Sequence, residues 1–347
     1  MCYKSILRAV ESVSVKSPVN RCLNQYQQCV SVKKFYFRLM NFQIKSLTES
    51  TVWLTGSNGF IGTNLKKQFI TERINRLVLL SHRKIAKPKE IQIDHSIYSI
   101  EMNFGDSNHF DLLSGNLLQP HYLIMNGWAE VANPESKIHQ GANVFQTEAL
   151  FNTISKENLV KVVFLGSIDE YGNQFGLIDE EDTPVHPLSS YAIGKIAASH
   201  RLEQIAAQSK TCLLHLLVSN VYGPNQREET LLPQMKKCVQ FAFSGKSYYR
   251  DYIFVEDLTK IVTQLLTIDF CGRLNVGSGE ATHSFDFARK AWALMGKSLD
   301  KLSFDYPEVR DTSMIQCLNI SKLKGLLGKN LKINGIESGL TKTFLTR

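Results

Sequence analysis

The sequence lacks several features that would assign it to a specialised class of protein. None of its 347 residues lies in an apolar run of about 18 residues, the length that a helix needs to cross a bilayer, so we expect no membrane partner. It also lacks a C-x-x-C pair and a Cys/His cluster at metal-ligand spacing, which argues against a metal site. An odd number of scattered cysteines favours reduced thiols in a cytoplasmic protein. The seven are Cys2, Cys22, Cys29, Cys212, Cys238, Cys271 and Cys317.

Acidic residues are scarce at the amino terminus. Residues 1–50 contain eight Lys or Arg and two acidic residues, so they carry six of the eight net positive charges. The rest of the chain is close to neutral, whereas a nucleic-acid-binding domain should carry a basic surface of its own. We therefore expect no nucleic-acid partner.

The basic segment over residues 1–47 is Ser-rich and shows no hydrophobic periodicity. Such a composition is typical of an organellar transit peptide. The alternative, which we favour, is an upstream start codon, because Met40 would begin a compact enzyme shortly before its first strand. The sequence predicts a disordered extension and a cytoplasmic protein, and organellar targeting stays open.

From Thr51 onward, short apolar runs rich in β-formers alternate with stretches of helical length. Continuous apolar strands separated by helices are typical of a parallel sheet that is covered on both faces. The sequence therefore predicts an α/β fold with a doubly wound parallel sheet of the Rossmann type. The strand candidates are 51–55, 77–80, 122–125, 162–165 and 213–218.

The regular alternation weakens after Gly223-Pro224, which predicts a division of the chain. We expect an NAD(P)-binding Rossmann domain over 48–225 and a smaller substrate-binding lobe over 226–347. Residues 251–278 are expected to return to the Rossmann sheet. Open α/β sheets bind ligands at the carboxyl ends of their strands, so the lobe should cover that edge.

A glycine-rich turn follows the first predicted strand, and a helical stretch follows the turn. Glycines at such a place permit a tight turn, close approach of a pyrophosphate to backbone N–H groups and packing of the helix on the strand. The amino terminus of the helix then faces the anion. A glycine-rich turn without a ligand is the less favoured alternative. The predicted dinucleotide-binding residues are Gly56, Ser57, Asn58, Gly59, Phe60, Ile61 and Gly62.

The end of the second predicted strand bears on the choice of cofactor. An NAD enzyme usually places an acidic residue there to bind the ribose 2′-hydroxyl, and this chain has Arg83 and Lys84 after His82. These two cations could hold the 2′-phosphate of NADP, and a solvated charged loop is the alternative. The sequence favours NADP, with NAD as the second choice.

Ser167 at the end of the fourth predicted strand, together with Tyr191 and Lys195, forms a candidate catalytic trio. The spacing of Tyr191 and Lys195 places them on one face of a helix. A neighbouring ammonium lowers the pKa of a phenol, which is about 10 in model peptides, so we expect Lys195 to lower the pKa of Tyr191. Tyr191 could then exchange a proton with a substrate oxygen while a hydride moves, and Ser167 would hydrogen-bond the same oxygen. Alone, Y-x-x-x-K usually marks an exposed helix face.

These motifs resemble the extended short-chain dehydrogenase/reductases of the NAD-dependent epimerase/dehydratase family, which modify sugar nucleotides. The G-x-x-G-x-x-G spacing over 56–62 is similar to that of the family, as is the trio. The resemblance implies a nucleotide-sugar substrate and a contact of Lys195 with the nicotinamide ribose. It also implies a contact of Asp106 with adenine and is compatible with a homodimer.

Later segments extend the resemblance towards the carboxyl terminus. Residues 220–224 are similar to a substrate-loop signature that begins at Asn220, and 250–257 resemble a segment whose Arg250 contacts the nucleotide diphosphate. Arg310 fits a second such position. Two arginines form a suitable clamp for a diphosphate, and a surface salt bridge is the alternative for each.

The residues around the trio bear on the reaction. The 4,6-dehydratases of the family place Asp and Glu directly after the catalytic Ser or Thr, where this chain has Ile168 and Asp169. Members that epimerise C3 and C5 carry Cys at the Asp169 position and His where this chain has Asn225. What remains is hydride transfer at one carbon, with Asp169 contacting the substrate.

Reduction of a 4-keto-6-deoxy nucleotide sugar is the favoured reaction, because NADP suits net reduction. An NAD-dependent nucleotide-sugar 4-epimerase is the alternative. A noncatalytic dinucleotide-binding sensor is a second alternative, and the presence of both Tyr191 and Lys195 argues against it.

Overall fold

The computed structural model describes residues 46–345, except for 83–86, 88, 105, 107, 110–118 and 155. The predicted extension lies outside the described residues up to residue 45, and so do Arg83 and Lys84. The elements of the described residues are, in chain order, β1 (Thr51–Thr55), α1 (Phe60–Thr71), β2 (Arg76–His82), β3 (Lys89–Gln92), β4 (Ile97–Met102), β5 (Tyr122–Met125), α2 (Ala142–Thr153), β6 (Lys161–Leu165), β7 (Gly176–Ile178), α3 (Ser190–Ser209), β8 (Cys212–Val218), β9 (Asn220–Tyr222), α4 (Leu231–Lys237), β10 (Phe241–Phe243), β11 (Tyr249–Phe254), α5 (Val255–Leu266), β12 (Gly272–Val276), β13 (Ala281–His283), α6 (Ser284–Leu294), β14 (Leu302–Phe304), β15 (Ile315–Leu318), α7 (Ser321–Leu327) and α8 (Ile336–Leu345).

The main sheet has the strand order β12-β8-β6-β5-β1-β2-β4-β3. Its strands run parallel except for β3, which pairs antiparallel with β4 at one edge. The central strands β1, β5 and β6 are buried at every position, as strands covered on both faces must be. The chain builds outward from β1 through β2 and then returns to add β5 on the other side. This confirms the predicted doubly wound α/β fold and places a topological switch point between β1 and β5.

A second, smaller sheet has the order β13-β11-β15-β7, and β9 also pairs with β11. It packs with a mainly aromatic core in which Phe285 and Trp292 of α6 are fully buried. Within 251–278, the chain passes from β11 of this sheet through α5, which packs against α1, to β12 at the edge of the main sheet. No described helix is both long and apolar enough to cross a membrane.

One expectation about the cysteines is wrong. Cys212, the first residue of β8, forms a disulfide with Cys271, which directly precedes β12, and their Cα atoms are 5.4 Å apart. The two strands are neighbours in the sheet, so residues 59 positions apart in sequence meet. Cysteine spacing alone does not show which strands pair, and therefore did not reveal this bond. Cys238 and Cys317 are free thiols.

Candidate active site

The glycine-rich turn after β1 is built by backbone contacts that leave no room for side chains. Gly56 has φ +67°, in the left-handed region that favours glycine, and a Cβ on it would lie 2.7 Å from the Cα of Gly127 after β5. A Cβ on Gly62, in the first turn of α1, would overlap the carbonyl oxygen of Gly56. These approaches bring the amino terminus of α1 to the switch point. Its first N–H groups have no side-chain cap and can meet an anion.

A cleft of about 250 Å³ opens beside this turn. It is lined by residues 55–59 of the turn, 80–82 at the end of β2, 127–129 after β5, and the inner face of α2. The predicted residues Gly56 to Gly59 thus face the cleft, and Phe60, Ile61 and Gly62 begin the helix behind it. None of the described lining residues is acidic. The fixed glycines and the free N–H groups fit the diphosphate of a dinucleotide.

The predicted adenine contact, Asp106, does not line this cleft. Its carboxylate accepts a hydrogen bond from the backbone N–H of Asn108 at 3.0 Å and lies 3.6 Å from Nε2 of His109. The neighbouring Phe104 does line the cleft. The adenine contact of Asp106 therefore stays a prediction, as does the role of Arg83 and Lys84.

The structure brings Ser167, Tyr191 and Lys195 together at the carboxyl end of β6. Ser167 caps a short 3-10 turn over Ile168–Tyr171, and its Oγ accepts the N–H of Asp169 at 3.2 Å. Tyr191 lies in the first turn of α3, where the neighbouring Ser167 side chain acts to lower the pKa of its phenol. Lys195, one turn further along, is 3% exposed and donates from Nζ to the carbonyl oxygen of Leu165 at 2.8 Å. The trio therefore lies beside the switch point, where open α/β sheets bind ligands.

The electrostatics of the pair differ from the expectation. Burial raises the pKa of Tyr191, and the negative charges of Asp169 and Glu170 raise it further. Burial also lowers the pKa of Lys195, to about 7. Nζ of Lys195 lies 5.7 Å from the centre of the Tyr191 ring and points at Leu165, so its charge does not offset the burial of the phenol. Tyr191 is held here as a protonated acid rather than poised near neutral pH.

Trp128 is a site residue that the sequence reasoning missed. Its ring lies 4.2 Å from Nζ of Lys195 and meets the Tyr191 ring edge-on. Its Nε1 donates at 3.0 Å to Nδ1 of the fully buried His139, whose Nε2 lies 2.8 Å from the carbonyl oxygen of Asn133. The signal was an aromatic residue shortly after β5, at the ligand-binding edge of the sheet. Trp128 forms one wall shared by the cleft and the trio.

Two of the predicted substrate residues influence one another. Asp169 is exposed at the surface, but the protein atoms around its carboxyl reduce the hydration of that group and raise its pKa. The positive charge of Arg250 acts in the opposite direction and lowers the pKa. Arg250 stacks 5.0 Å from the ring of Tyr248 and donates to the side chain of Gln316. The two opposite charges therefore lie close enough to influence each other, and their contact with substrate stays a prediction.

Asn220 and Arg310 are occupied elsewhere. Asn220 donates from its amide to the carbonyl oxygen of Asp251 at 2.9 Å, where β9 meets β11. Arg310 is 49% exposed and forms ion pairs with Asp286 and Glu308. These two carboxylates lie near His283 and could in principle surround a metal ion, but Arg310 and Arg289 already neutralise them. Arg310 therefore adopts the salt-bridge alternative in this structure.

A sequence model of the NAD dependent epimerase/dehydratase family matches residues 52–277, about two thirds of the chain. The chain belongs to this family. This confirms the resemblance drawn from the glycine turn and the trio, and it identifies the protein as a member of an enzyme family that modifies sugar nucleotides.

Known relatives within the family differ in the reaction that they catalyse. A dTDP-glucose 4,6-dehydratase of Mycolicibacterium smegmatis is 26% identical over 84% of this chain and 91% of its own length. The structure of a UDP-glucose 4-epimerase of Thermotoga maritima with UDP-glucose has a TM-score of 0.69 at 20% identity, covering 85% of this chain and 97% of that one. That of a dTDP-glucose 4,6-dehydratase of Bacillus anthracis with NAD also has a TM-score of 0.69, at 18% identity and coverages of 85% and 95%. At these identities the two structures show the shared fold.

Proposed function

We propose that this protein is an NAD(P)-dependent sugar-nucleotide oxidoreductase that reduces a 4-keto-6-deoxy nucleotide sugar, with Tyr191 as general acid. The observation that carries the proposal is the environment of the trio. The position after Ser167, where the dehydratases of the family have an acid, holds Ile168, whose side chain is 3% exposed and therefore faces the core. Water elimination needs a second acid/base pair beside the trio, and this chain has no acid at that position.

The chemistry assigned to the chain is a proton transfer at one oxygen. Ser167 and Tyr191 lie side by side and both hydrogen-bond the C4 carbonyl oxygen of the substrate. The phenol of Tyr191 donates its proton to that oxygen as C4 receives a hydride, and the raised pKa keeps the phenol protonated through neutral pH. When bound, the reduced nicotinamide nucleotide supplies the hydride. The ammonium of Lys195 holds the nicotinamide ribose and balances the phenolate that Tyr191 leaves.

The cofactor site follows from the turn and the cleft. The N–H groups at the start of α1 would hold the diphosphate, and Trp128 would form the wall of the cleft nearest the trio. Ser81 and His82 line the cleft at the end of β2, and no described lining residue offers a carboxylate for a ribose 2′-hydroxyl. Together with Arg83 and Lys84, which follow in the sequence, this supports NADP over NAD.

The substrate side of the site is assigned to Asp169 and Arg250, while the amide of Asn220 stays bound to Asp251. Arg250 pairs with the diphosphate of the nucleotide sugar, and Asp169, which faces it, orients the sugar hydroxyls. Arg310 would join only by leaving Asp286 and Glu308. A 4-epimerase is the second candidate, favoured by relatives such as the UDP-glucose 4-epimerases.

The test follows nicotinamide absorbance with NADPH or NADH and a panel of 4-keto-6-deoxy nucleotide sugars. Wild type should oxidise NADPH, and Tyr191→Phe should lose about 10²- to 10⁴-fold in rate, as expected for removal of a general acid. Tyr306→Phe, a change at a tyrosine that is 48% exposed, is the matched control and should keep the wild-type rate. Inversion at C4 without net oxidation would replace the reductase by the epimerase. Cofactor binding without any turnover would favour the sensor.

A further inference from the structure

A buried pair of a carboxylate and an imidazole lies directly behind the catalytic serine and is not part of the trio. Glu170, in the 3-10 turn after β6, is 1% exposed, and His215 in the middle of β8 is 2% exposed. Oε1 of Glu170 lies 3.2 Å from Nε2 of His215. Carboxylates are almost never fully buried unless they are paired, so the retention of this one calls for a role.

Glu170 fixes the backbone that presents Ser167. Its Oε1 accepts the N–H of Ser167 at 3.0 Å, while Oγ of Ser167 accepts the N–H of Asp169, which together form a reciprocal cap. A Cβ on the preceding Gly166 would collide with both Glu170 and His215. The backbone of Ser167 is thus held in place by Glu170, so the orientation of the Ser167 hydroxyl depends on this carboxylate.

Glu170 and Lys195 bind neighbouring peptide groups at the end of β6. Nζ of Lys195 donates to the carbonyl oxygen of Leu165, and Oε1 of Glu170 accepts the N–H of Ser167, on either side of Gly166. Burial acts to raise the pKa of the Glu170 carboxyl, but the contact with His215 on β8, the charge of Arg273 on β12 and the N–H of Ser167 hold it below its usual value. Its Oε2 has no hydrogen-bond partner among the described residues, so no second donor contacts the carboxylate at that oxygen. The other groups around Nζ of Lys195 are the Leu165 carbonyl oxygen and aromatic rings, which carry no full negative charge.

We propose that Glu170, held by His215, is a positioning residue that fixes the hydroxyl of Ser167 in place and favours the ammonium form of Lys195 through its negative charge. Its charge acts on both side chains of α3 in the trio, since it also stabilises the protonated phenol of Tyr191. Asp169 is the other carboxylate that faces Tyr191. The inference deepens the proposed reductase function, but its central test needs no substrate.

The test is the titration of Lys195 in protein labelled with ¹³C at lysine Cε, with its resonance assigned by its loss in Lys195→Arg. Glu170→Gln keeps an oxygen for the N–H of Ser167 and removes the charge. Its Lys195 resonance should titrate about one pH unit lower than in wild type, the shift expected when an opposite charge is removed from a buried site. Glu181→Gln, at a carboxylate that is 68% exposed, is the matched control and should leave the titration unchanged. An unchanged titration in a folded Glu170→Gln protein would overturn the proposal.

Glu170→Asp tests the negative charge of the side chain separately from its length. It is also the milder change, for use if the Gln variant does not fold. It keeps the negative charge but is one methylene too short for the Ser167 N–H. The Lys195 titration should then stay close to wild type, while kcat falls at least about tenfold through the misplaced serine, the effect of about 1.4 kcal/mol on the barrier. If the Asp variant instead lowered the Lys195 titration, the role of the charge would be wrong. Because the titration is read without turnover, failure of the reductase assay would not be confused with failure here.

Discussion

Replacement of Gly62 by alanine should distort the phosphate turn and weaken dinucleotide binding. The added Cβ would overlap the carbonyl oxygen of Gly56 and lie 2.8 Å from the Cα of Ser57. Both are backbone atoms, so no rotamer change relieves the overlap, and α1 must move away from the turn. Overpacking of this kind costs about 1–3 kcal/mol of folding stability. Loss of one charge-assisted hydrogen bond to a phosphate costs about 1.5–3 kcal/mol, or roughly 10- to 150-fold in Kd.

Thermal unfolding and calorimetric titration with NADP and NAD measure the two effects separately. Gly325→Ala is the matched control, because Gly325 lies within α7 and its Cβ would meet nothing within 4 Å. Alanine is the better helix former by about 1 kcal/mol, so this variant should bind normally and be slightly more stable. A Gly62→Ala protein with wild-type Tm and a Kd within about twofold of wild type would refute the role given to the turn.

Two further predictions concern buried and exposed cations. Burial lowers the pKa of Lys161 to about 8, below its unfolded value of roughly 10.4, so the unfolded chain binds the extra proton and the free energy of unfolding should rise between those pH values. Urea titrations should show this rise in wild type and a smaller rise in Lys161→Met, in which Lys156 and Lys195 still contribute. Arg250→Ala should raise KM for the nucleotide sugar about tenfold or more, and Arg310→Ala should change it little. Equal increases would restore the two-arginine clamp.

Much of the sheet could be predicted because its strands are continuous apolar runs. Residues 51–55, 122–125 and 162–165 coincide with β1, β5 and β6 or lie within them. Both faces of these strands are covered, so their residues are continuously apolar and do not alternate between apolar and polar. The antiparallel edge strand β3 was not predicted. It is exposed along its length, so its sequence carries no apolar pattern.

The residues of the trio could be proposed because their chemistry is local in sequence. Tyr191 and Lys195 share a helix face, and Ser167 follows a strand after the glycine-rich turn, so spacing read in that context predicts that they meet. Glu170 and Trp128 were not predicted as site residues, because their roles depend on which strands are neighbours in the sheet. His215 reaches Glu170 only because β8 lies beside β6, and no local motif records that pairing.

The direction of the Tyr191 pKa shift bears on the choice between reductase and epimerase. A 4-epimerase begins by oxidising a C4 hydroxyl, so its tyrosine must start as the phenolate in order to accept a proton. Burial, with Asp169 and Glu170 nearby, disfavours that form. A ketoreductase begins with the phenol protonated, and the same groups favour this state. The carboxylates near Tyr191 therefore favour the protonated phenol, which is the state in which a net reduction begins.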